Sequence, residues 1–298
     1  MPIREIFGLS AALVTPFTAQ GAVDGELAAR HAGWCLANGC QSVTLFGTTG
    51  EGPSISAAER TRLQAALRDG GVPADRIVTG VIANSIGDAV AYAREGLDAG
   101  GRYVLLAPPS YFKGVSAEGV FNWYAAVFAG LGASARGVIL YNIPGVTSVE
   151  IGVDLVGRLK AAFPGIIAGV KDSSGDWPYT EKLLAAHRDL AILIGDERSL
   201  AAGVRLGGQG AISGMANVAP DRLSTMIAEG RDDEVLSAFV AELVRNPVTP
   251  AVKAMVAHRT GNAEWQRVRA PLDKTPAAVA ASLGRSMDDA FGGGVAAA

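Results

Sequence analysis

One lysine of the sequence has the surroundings expected of a nucleophilic amine. The chain contains six lysines, and only Lys171 directly follows a short apolar run, residues 166–170, that is typical of a buried strand. Withdrawing an amine from water favours its neutral form, which can attack a carbonyl carbon. The alternative is a lysine that reaches the rim of the fold and pairs with Asp172 or Asp176. Position alone leaves both interpretations open.

Two further candidates for catalysis or binding lie at the ends of other strand-like runs. The phenol of Tyr141 could transfer a proton to or from a reacting group, although an aromatic side chain at this place can equally belong to the core. Residues 47–51 read Gly-Thr-Thr-Gly-Glu. The backbone N–H groups of this turn could hold a carboxylate, or the turn could simply connect a strand to a helix. Glu51 is either a general base or a carboxylate at a helix N-terminus.

These residues lie at the ends of short apolar runs that alternate with helical stretches. The runs are rich in Val, Ile and Leu, as parallel strands buried on both faces are, and cover residues 10–16, 42–46, 77–83, 103–107, 137–141, 166–170, 190–194 and 210–214. Such a repeat of strand and helix predicts a (β/α)8 barrel of the α/β class, with its site after the strands. A doubly wound sheet is the alternative, but the first run ends in Thr15-Pro16-Phe17 rather than in a Gly-rich phosphate-binding turn.

Helices are predicted both between the strands and after them. Residues 57–69 are a clear example, because Ser56 and Glu59 form a capping box at the start. Beyond the barrel the strand pattern stops, and further helical patterns occur at residues 233–245, 251–258 and 275–283. The sequence therefore predicts a barrel over residues 1–230 and a helical C-terminal region, residues 231–298, packed on the barrel.

The composition excludes several classes of protein. A net charge of −3 and an isoelectric point near 5.7 do not supply the dense positive charge that nucleic acids require. Cys35 and Cys40 do not have the spacing of a zinc site, and the three histidines are scattered, so no metal is expected. No apolar run reaches the ~18–20 residues that span a bilayer. With no secretion signal at the N-terminus, we expect a cytoplasmic protein without membrane or nucleic-acid partners.

Several short motifs, taken in order, resemble those of the dihydrodipicolinate synthase and N-acetylneuraminate lyase family of Schiff-base barrel enzymes. They stand at residues 14–17 (Val-Thr-Pro-Phe), 47–51, 141–144 (Tyr-Asn-Ile-Pro), 169–175 (Gly-Val-Lys-Asp-Ser-Ser-Gly) and 210–213 (Gly-Ala-Ile-Ser). The resemblance covers most of the chain. It implies a class I aldolase-type enzyme that forms a covalent imine on Lys171 without a metal or cofactor, and it favours this role over the rim lysine.

The resemblance also implies a relay of hydroxyl groups. Lys171 would form the imine with the 2-oxo carbon of pyruvate or a related acid, Tyr141 would transfer the proton, and Thr48 would link Tyr141 into the relay. In many family members a tyrosine from the loop after the fourth strand reaches the site of a neighbouring subunit. Tyr111 is the matching residue, although Ser110 replaces one member of the tyrosine pair common in the synthases.

By the same resemblance, the loop after the second strand binds the substrate carboxylate. Thr49 and neighbouring backbone N–H groups, including that of Gly47, would hold the carboxylate, and the backbone of Ile212 would face the bound 2-oxo acid. Family members generally form tetramers built from dimers. We therefore expect a homotetramer, a dimer of dimers, whose partner is a small-molecule 2-oxo acid.

One departure from the synthase pattern bears on the substrate. The synthases usually carry an arginine two residues after the proline of the Tyr-Asn-x-Pro motif. This chain has Val146 there, which cannot bind a carboxylate through paired hydrogen bonds. We therefore predict an aldolase or dehydratase for a 2-keto-3-deoxy sugar acid. Ser173, Asp196 and Glu197 would contact its hydroxyl groups, or would only cap their loops. The alternatives are a 4-hydroxy-tetrahydrodipicolinate synthase, which condenses pyruvate with aspartate semialdehyde, and a non-catalytic keto-acid-binding protein.

Overall fold

Parallel strands close into a barrel in the computed structural model, which describes residues 6–292. Each strand pairs with the next along the chain, and the last pairs with the first. The strands are β1 (Gly8–Ala12), β2 (Ser42–Leu45), β3 (Ile77–Val81), β4 (Tyr103–Leu106), β5 (Val138–Asn142), β6 (Ile167–Asp172), β7 (Ala191–Ile194) and β8 (Gly210–Ser213). The predicted (β/α)8 barrel with C-terminal helices is confirmed.

Helices surround the barrel and continue after it. They are α1 (Gly25–Ala37), α2 (Ala57–Asp69), α3 (Ile86–Asp98), α4 (Ala117–Leu131), α5 (Pro144–Thr147), α6 (Val153–Ala162), α7 (Trp177–Ala186), α8 (Leu200–Arg205), α9 (Pro220–Glu229), α10 (Glu234–Leu243), α11 (Val248–Thr260) and α12 (Ala277–Phe291). The capping box of α2 is present, since the backbone N–H of Ser56 donates to Oε2 of Glu59 at 3.0 Å. Among residues 6–292, none of these helices combines the length and apolar character of a membrane span.

The first strand lies earlier in the chain than the apolar run predicts. Residues 13–14 are buried, but they lie beyond β1. The N–H of Leu13 donates to the carbonyl of Thr44 at 3.0 Å, and that of Val14 donates to the side chain of Asn217 at 3.2 Å. Leu13 and Val14 are apolar because they are buried, although regular strand pairing ends before them.

A register shift between β5 and β6 decides which side chains enter the barrel. The shift lies between Val138 and Ile139, and it leaves Ala168 of β6 as an extra residue. Side chains alternate between the two faces of a strand, so one inserted residue reverses the facing of the residues after it. Tyr141 pairs with Lys171 after this shift. Both therefore point into the barrel interior, where Tyr141 packs in the inner apolar cluster.

The helices of the C-terminal region cover the end of the barrel at which the strands terminate. Helix α10 contacts the turn Glu197–Ser199 after β7, and α11 contacts the turn Met215–Asn217 after β8. The last helix, α12, packs on α10 and α11. Residues 293–298 of the predicted C-terminal region lie outside the described residues, as do residues 1–5.

Candidate active site

A cavity of about 330 Å³ lies at the carboxyl ends of the strands and contains the amine of Lys171. This is the end of a (β/α)8 barrel at which such folds place their active sites. The predicted site residues that line the cavity are Thr48, Thr49, Tyr141, Lys171, Ser173, Asp196, Glu197 and Ile212. They come from five different strand ends, so the closed sheet brings together residues that are far apart in the chain.

Lys171 is buried beside a phenol. Its side chain ends 3.3 Å from the hydroxyl of Tyr141, to which Nζ donates a hydrogen bond, and 4.4 Å from the centre of the phenol ring. Only 6% of the residue is exposed. The amine therefore has one hydroxyl neighbour and faces a cavity, an arrangement that suits attack on a carbonyl carbon.

The carboxylates that could have neutralised Lys171 face elsewhere. Asp172 points to the helices outside the barrel, where its Oδ2 accepts a hydrogen bond of 2.6 Å from Thr180 of α7. Asp176 caps the start of α7 by accepting from the backbone N–H of Tyr179. The described salt bridges do not include Lys171. The interpretation as a rim lysine paired with these aspartates is therefore wrong.

The hydroxyl of Tyr141 is shared between Lys171 and Thr48. Oγ1 of Thr48 lies 3.3 Å from the phenol oxygen, and either atom can be the donor. The three groups thus form a continuous path from the amine to the loop after β2. Such a path can carry a proton to or from an oxygen that develops beside the amine.

The loop after β2, residues 47–51, presents backbone donors next to this path. Within the described chain, the N–H groups of Thr48 and Thr49 have no hydrogen-bond acceptor. The side chain of Thr49 lies opposite Gly214. A Cβ atom built on Gly214 would lie 3.5 Å from that side chain. Unpaired N–H groups and a hydroxyl in a tight turn suit a carboxylate. Gly47 does not line the cavity; its carbonyl accepts from Gly52 at 3.0 Å inside the loop.

Polar side chains after β7 line another part of the cavity. Oε1 of Glu197 accepts a hydrogen bond of 2.6 Å from Ser213, while burial raises the pKa of the Glu197 carboxyl. Burial also acts on Asp196, but two hydrogen bonds from Arg198, of 2.9 and 2.7 Å, hold the pKa of Asp196 below its usual value. Ser173, which follows β6, also lines the cavity. These side chains offer both donors and acceptors to a hydroxylated ligand.

Several lining residues are missed by the sequence interpretation. Arg198 carries a charge at the cavity wall. Helix α10, the residue that follows it and helix α11 supply an apolar wall made of Val240, Leu243, Val244, Val248 and Val252. The spacing of Val248 and Val252 places both on one face of a helix, but no sequence signal says that this face meets the barrel. The C-terminal region therefore forms part of the site as well as packing on the barrel.

Tyr111 lies outside the cavity of its own chain. Its side chain is 76% exposed and stacks edge-on against the exposed ring of Phe112, with ring centres 5.3 Å apart. The backbone N–H groups of Ser110 and Tyr111 donate to the side chain of Asn84, at 2.8 and 2.9 Å. The loop is thus anchored while its aromatic side chains face outward.

The remaining polar residues singled out by the sequence lie away from the cavity. Glu51 is buried against Lys253 at 2.6 Å, so it is not free to act as a general base in the cavity. Cys35 and Cys40 are buried free thiols, and burial raises the pKa of Cys35. Among residues 6–292, no group of three or more His, Cys, Asp or Glu side chains is arranged to hold a metal ion.

The fold and the cavity define a (β/α)8 barrel with its site at the carboxyl ends of the strands. The chain belongs to the dihydrodipicolinate synthetase family, whose model matches residues 5–281. This is a family of lyases, and the resemblance of the motifs to it is confirmed.

Named relatives agree with this placement. The chain is 33% identical to a DapA-like lyase of Chloroflexus aurantiacus over 85% of this chain and 86% of the relative. Among solved structures, dihydrodipicolinate synthase from Agrobacterium tumefaciens is 54% identical, with a TM-score of 0.94 over 96% of this chain and 99% of that one. The enzyme from Acinetobacter baumannii, solved with pyruvate, is 27% identical, with a TM-score of 0.85 over 96% of this chain and 99% of that one.

Proposed function

We propose that the protein is a class I lyase that forms an imine between Lys171 and a 2-oxo acid. One observation carries this proposal. The amine of Lys171 is buried in the cavity, 3.3 Å from the hydroxyl of Tyr141, and no carboxylate of residues 6–292 pairs with it. An amine in this setting needs no metal to activate a ketone, because the protonated imine itself withdraws electrons from the neighbouring carbons.

The residues around Lys171 each have a role in the proposed reaction. Nζ of Lys171 attacks the 2-oxo carbon, and the resulting carbinolamine loses its hydroxyl as water after receiving a proton through Tyr141, with Thr48 as the next hydroxyl in the path. Thr49 and the N–H groups of its loop hold the carboxylate, and the backbone of Ile212 faces the acid. From the imine, cleavage of C3–C4 gives an aldehyde and the enamine of pyruvate. Loss of a C4 hydroxyl instead gives a dehydrated product.

The cavity favours a 2-keto-3-deoxy sugar acid as the substrate. Val146, which stands where synthases usually have an arginine, lines the cavity with 60% of its residue exposed, and it offers no hydrogen bond to a second carboxylate. Arg198 is already paired with Asp196. Ser173, Asp196 and Glu197 would meet the hydroxyl groups of a sugar chain.

A synthase is the second candidate, because relatives carry that name. They include the dihydrodipicolinate synthase of Agrobacterium tumefaciens, at 54% identity. The two candidates share the imine and differ in the reaction of that imine. Aspartate semialdehyde with pyruvate should be consumed only by a synthase. A panel of 2-keto-3-deoxy sugar acids should release pyruvate, or a dehydrated 2-oxo acid, only with a lyase of the first kind.

Borohydride trapping tests the shared step. Reduction of the protein in the presence of pyruvate should add the mass of the reduced adduct to the peptide that contains Lys171. Absence of the adduct would overturn the proposal. An adduct without turnover of any substrate in either panel would instead favour the third alternative, a non-catalytic protein that binds keto acids.

Tyr111 leads to a proposal about assembly. An exposed aromatic pair, Tyr111 and Phe112, is typical of a surface that another molecule covers. We expect the chain to form a homotetramer in which Tyr111 of one copy completes the relay at Tyr141 of its neighbour. Sedimentation should show a tetramer, and Tyr111→Phe should lower the rate of imine formation while the assembly is retained. An active monomer would contradict this arrangement. The cytoplasmic location stays a prediction.

A further inference from the structure

The loop that carries Thr48 is tied to helix α11 by a buried ion pair. Nζ of Lys253 donates to Oε1 of Glu51 at 2.6 Å and to the carbonyl of Thr15 at 2.9 Å. Neither side chain of the ion pair has exposed surface. The other carboxylate oxygen, Oε2, accepts from the backbone N–H of Arg269 at 2.9 Å. One carboxylate therefore joins the loop to two segments of the C-terminal region.

The backbone of this loop needs such support. Phe46 and Glu51, which bracket the loop, have φ values of 59° and 55°, in the left-handed region that residues with a side chain rarely adopt. Arg60 stacks on the ring of Phe46 at 4.0 Å. Glu51 is held by its carboxylate. Strained residues persist only where the surrounding contacts fix them, and for Glu51 those contacts come from Lys253 and Arg269.

Thr48 connects this ion pair to the reacting groups. The carbonyl of Thr48 accepts from the N–H of Glu51 at 3.1 Å and from the hydroxyl of Thr249 on α11 at 3.3 Å. The side chain of Thr48 meets the phenol of Tyr141. A change in the position of Glu51 would therefore move the Thr48 hydroxyl relative to Tyr141.

Stability alone is a weak explanation for this pair. Two charges taken out of water lose hydration that their attraction only partly restores, and apolar residues of similar size often serve at least as well. An apolar residue at position 51, however, could not accept a hydrogen bond from the N–H of Arg269.

We propose that Lys253 and Glu51, with Thr249, are positioning residues that hold the loop of residues 47–51 so that the hydroxyl of Thr48 meets Tyr141. This inference rests on the proposed imine chemistry. Its consequence is that helix α11 sets the geometry of the relay through its contacts with the loop after β2.

The test uses the full chain with both charges removed together, Lys253→Met/Glu51→Gln. Methionine keeps the length of the lysine stem, glutamine keeps an acceptor for Arg269, and neither partner is left as a lone buried charge. The rate of imine formation at saturating pyruvate, followed by timed borohydride quenching, should fall about tenfold to a hundredfold. Circular dichroism should show that the fold is retained.

A double-mutant cycle separates positioning from general loss of stability. Thr48→Val should slow imine formation about tenfold in the natural protein and less than about twofold in the Lys253→Met/Glu51→Gln background, because the relay is already misplaced there. The matched control is Lys160→Met/Asp189→Asn, which removes a different lysine–carboxylate pair, of 2.9 Å, outside the cavity. The control should leave both the rate and the effect of Thr48→Val unchanged.

The outcomes distinguish the two proposals. If the natural protein gives no adduct, the proposed function fails. If it gives the adduct while the folded pair variant keeps its rate, or the cycle is additive, the positioning role is wrong and the proposed function stands. Should the pair variant not fold, Thr249→Val removes the uncharged contact from α11 to Thr48. A full rate in that variant overturns the positioning role, and a reduced rate coupled to Thr48→Val supports it.

Discussion

Lys171 and Lys253 are both buried amines, yet their surroundings differ in kind. Lys171 meets one phenol and an open cavity, and it pairs with no carboxylate in the part of the chain that the structure describes. Lys253 meets a carboxylate, a backbone carbonyl and the face of Phe17 at 4.4 Å, and it has no exposed surface. Burial lowers the pKa of Lys253, and the charge of Glu51 opposes that change.

The difference shows that burial alone does not make a lysine reactive. An amine enclosed by a carboxylate, a carbonyl and an aromatic face has no open side from which a carbonyl compound could approach. An amine that faces a cavity beside a hydroxyl can be reached by an incoming carbonyl compound. The two regions are also linked, since the structural lysine anchors the loop that serves the reactive one.

The largest effect is expected at Lys171. Lys171→Ala should remove the borohydride adduct and lower any turnover by at least about a thousandfold, since the nucleophile itself is lost. The melting temperature should change little, because no ion pair is broken. Mass spectrometry of the trapped protein and a thermal melt check both statements. If the Lys171→Ala protein still forms an adduct at another residue, the claim that Lys171 is the reactive lysine is wrong.

Lys253→Met alone should lower stability as well as slow imine formation. It leaves Glu51 buried without its cation, at a cost of about 3–5 kcal/mol, which corresponds to a melting temperature lower by roughly 10 °C. Lys160→Met, which breaks an exposed pair, should cost at most about 1 kcal/mol. Thermal melts of both variants compare them directly, and equal melting temperatures would contradict a structural role for the buried pair.

Tyr141→Phe should slow imine formation about a hundredfold without abolishing it, because the amine remains and only the proton path is lost. Tyr124→Phe is the matched control. Tyr124 is also buried, but its hydroxyl donates to the carbonyl of Leu106 at 3.2 Å, outside the cavity. Timed trapping should show a normal rate for the control. Similar rates for the two variants would remove Tyr141 from the mechanism.

The smallest expected effect is on the stability of the protein at low pH. Hydrogen bonds from Arg269 lower the pKa of Glu59 from 4.5 to about 2. The folded state thus favours the carboxylate, and this stabilisation is complete above pH 4.5 and is lost as the pH falls towards 2. Thermal melts between pH 6 and pH 2.5 measure how much unfolding free energy is lost on acidification. The loss should be smaller in Glu59→Gln than in the natural protein, by about 1 kcal/mol. The Lys171 region relies on hydroxyls, so Tyr141→Phe should not alter this acid dependence.

Much of the site can be predicted from local sequence. Lys171 and Tyr141 end apolar runs, the Gly-Thr-Thr-Gly-Glu turn comes after another run, and a capping box starts α2. Such signals are local because strand burial, turns and caps depend on neighbouring residues. They were sufficient to predict the closed barrel. The resemblance to the family added Ile212 and the substrate-binding roles, and eight of the predicted site residues line one cavity.

The sequence by itself therefore determined the order of strands and helices, and which side chains stand at the strand ends. The facing of Lys171 was decided only in the folded barrel, because the extra residue Ala168 reverses the alternation of β6. The role of Glu51 and the cavity wall from α10 and α11 depend on contacts across about 200 residues of chain, such as that of Lys253 with Glu51. Contacts at that separation leave no periodic signal, since they arise from packing rather than from local preference.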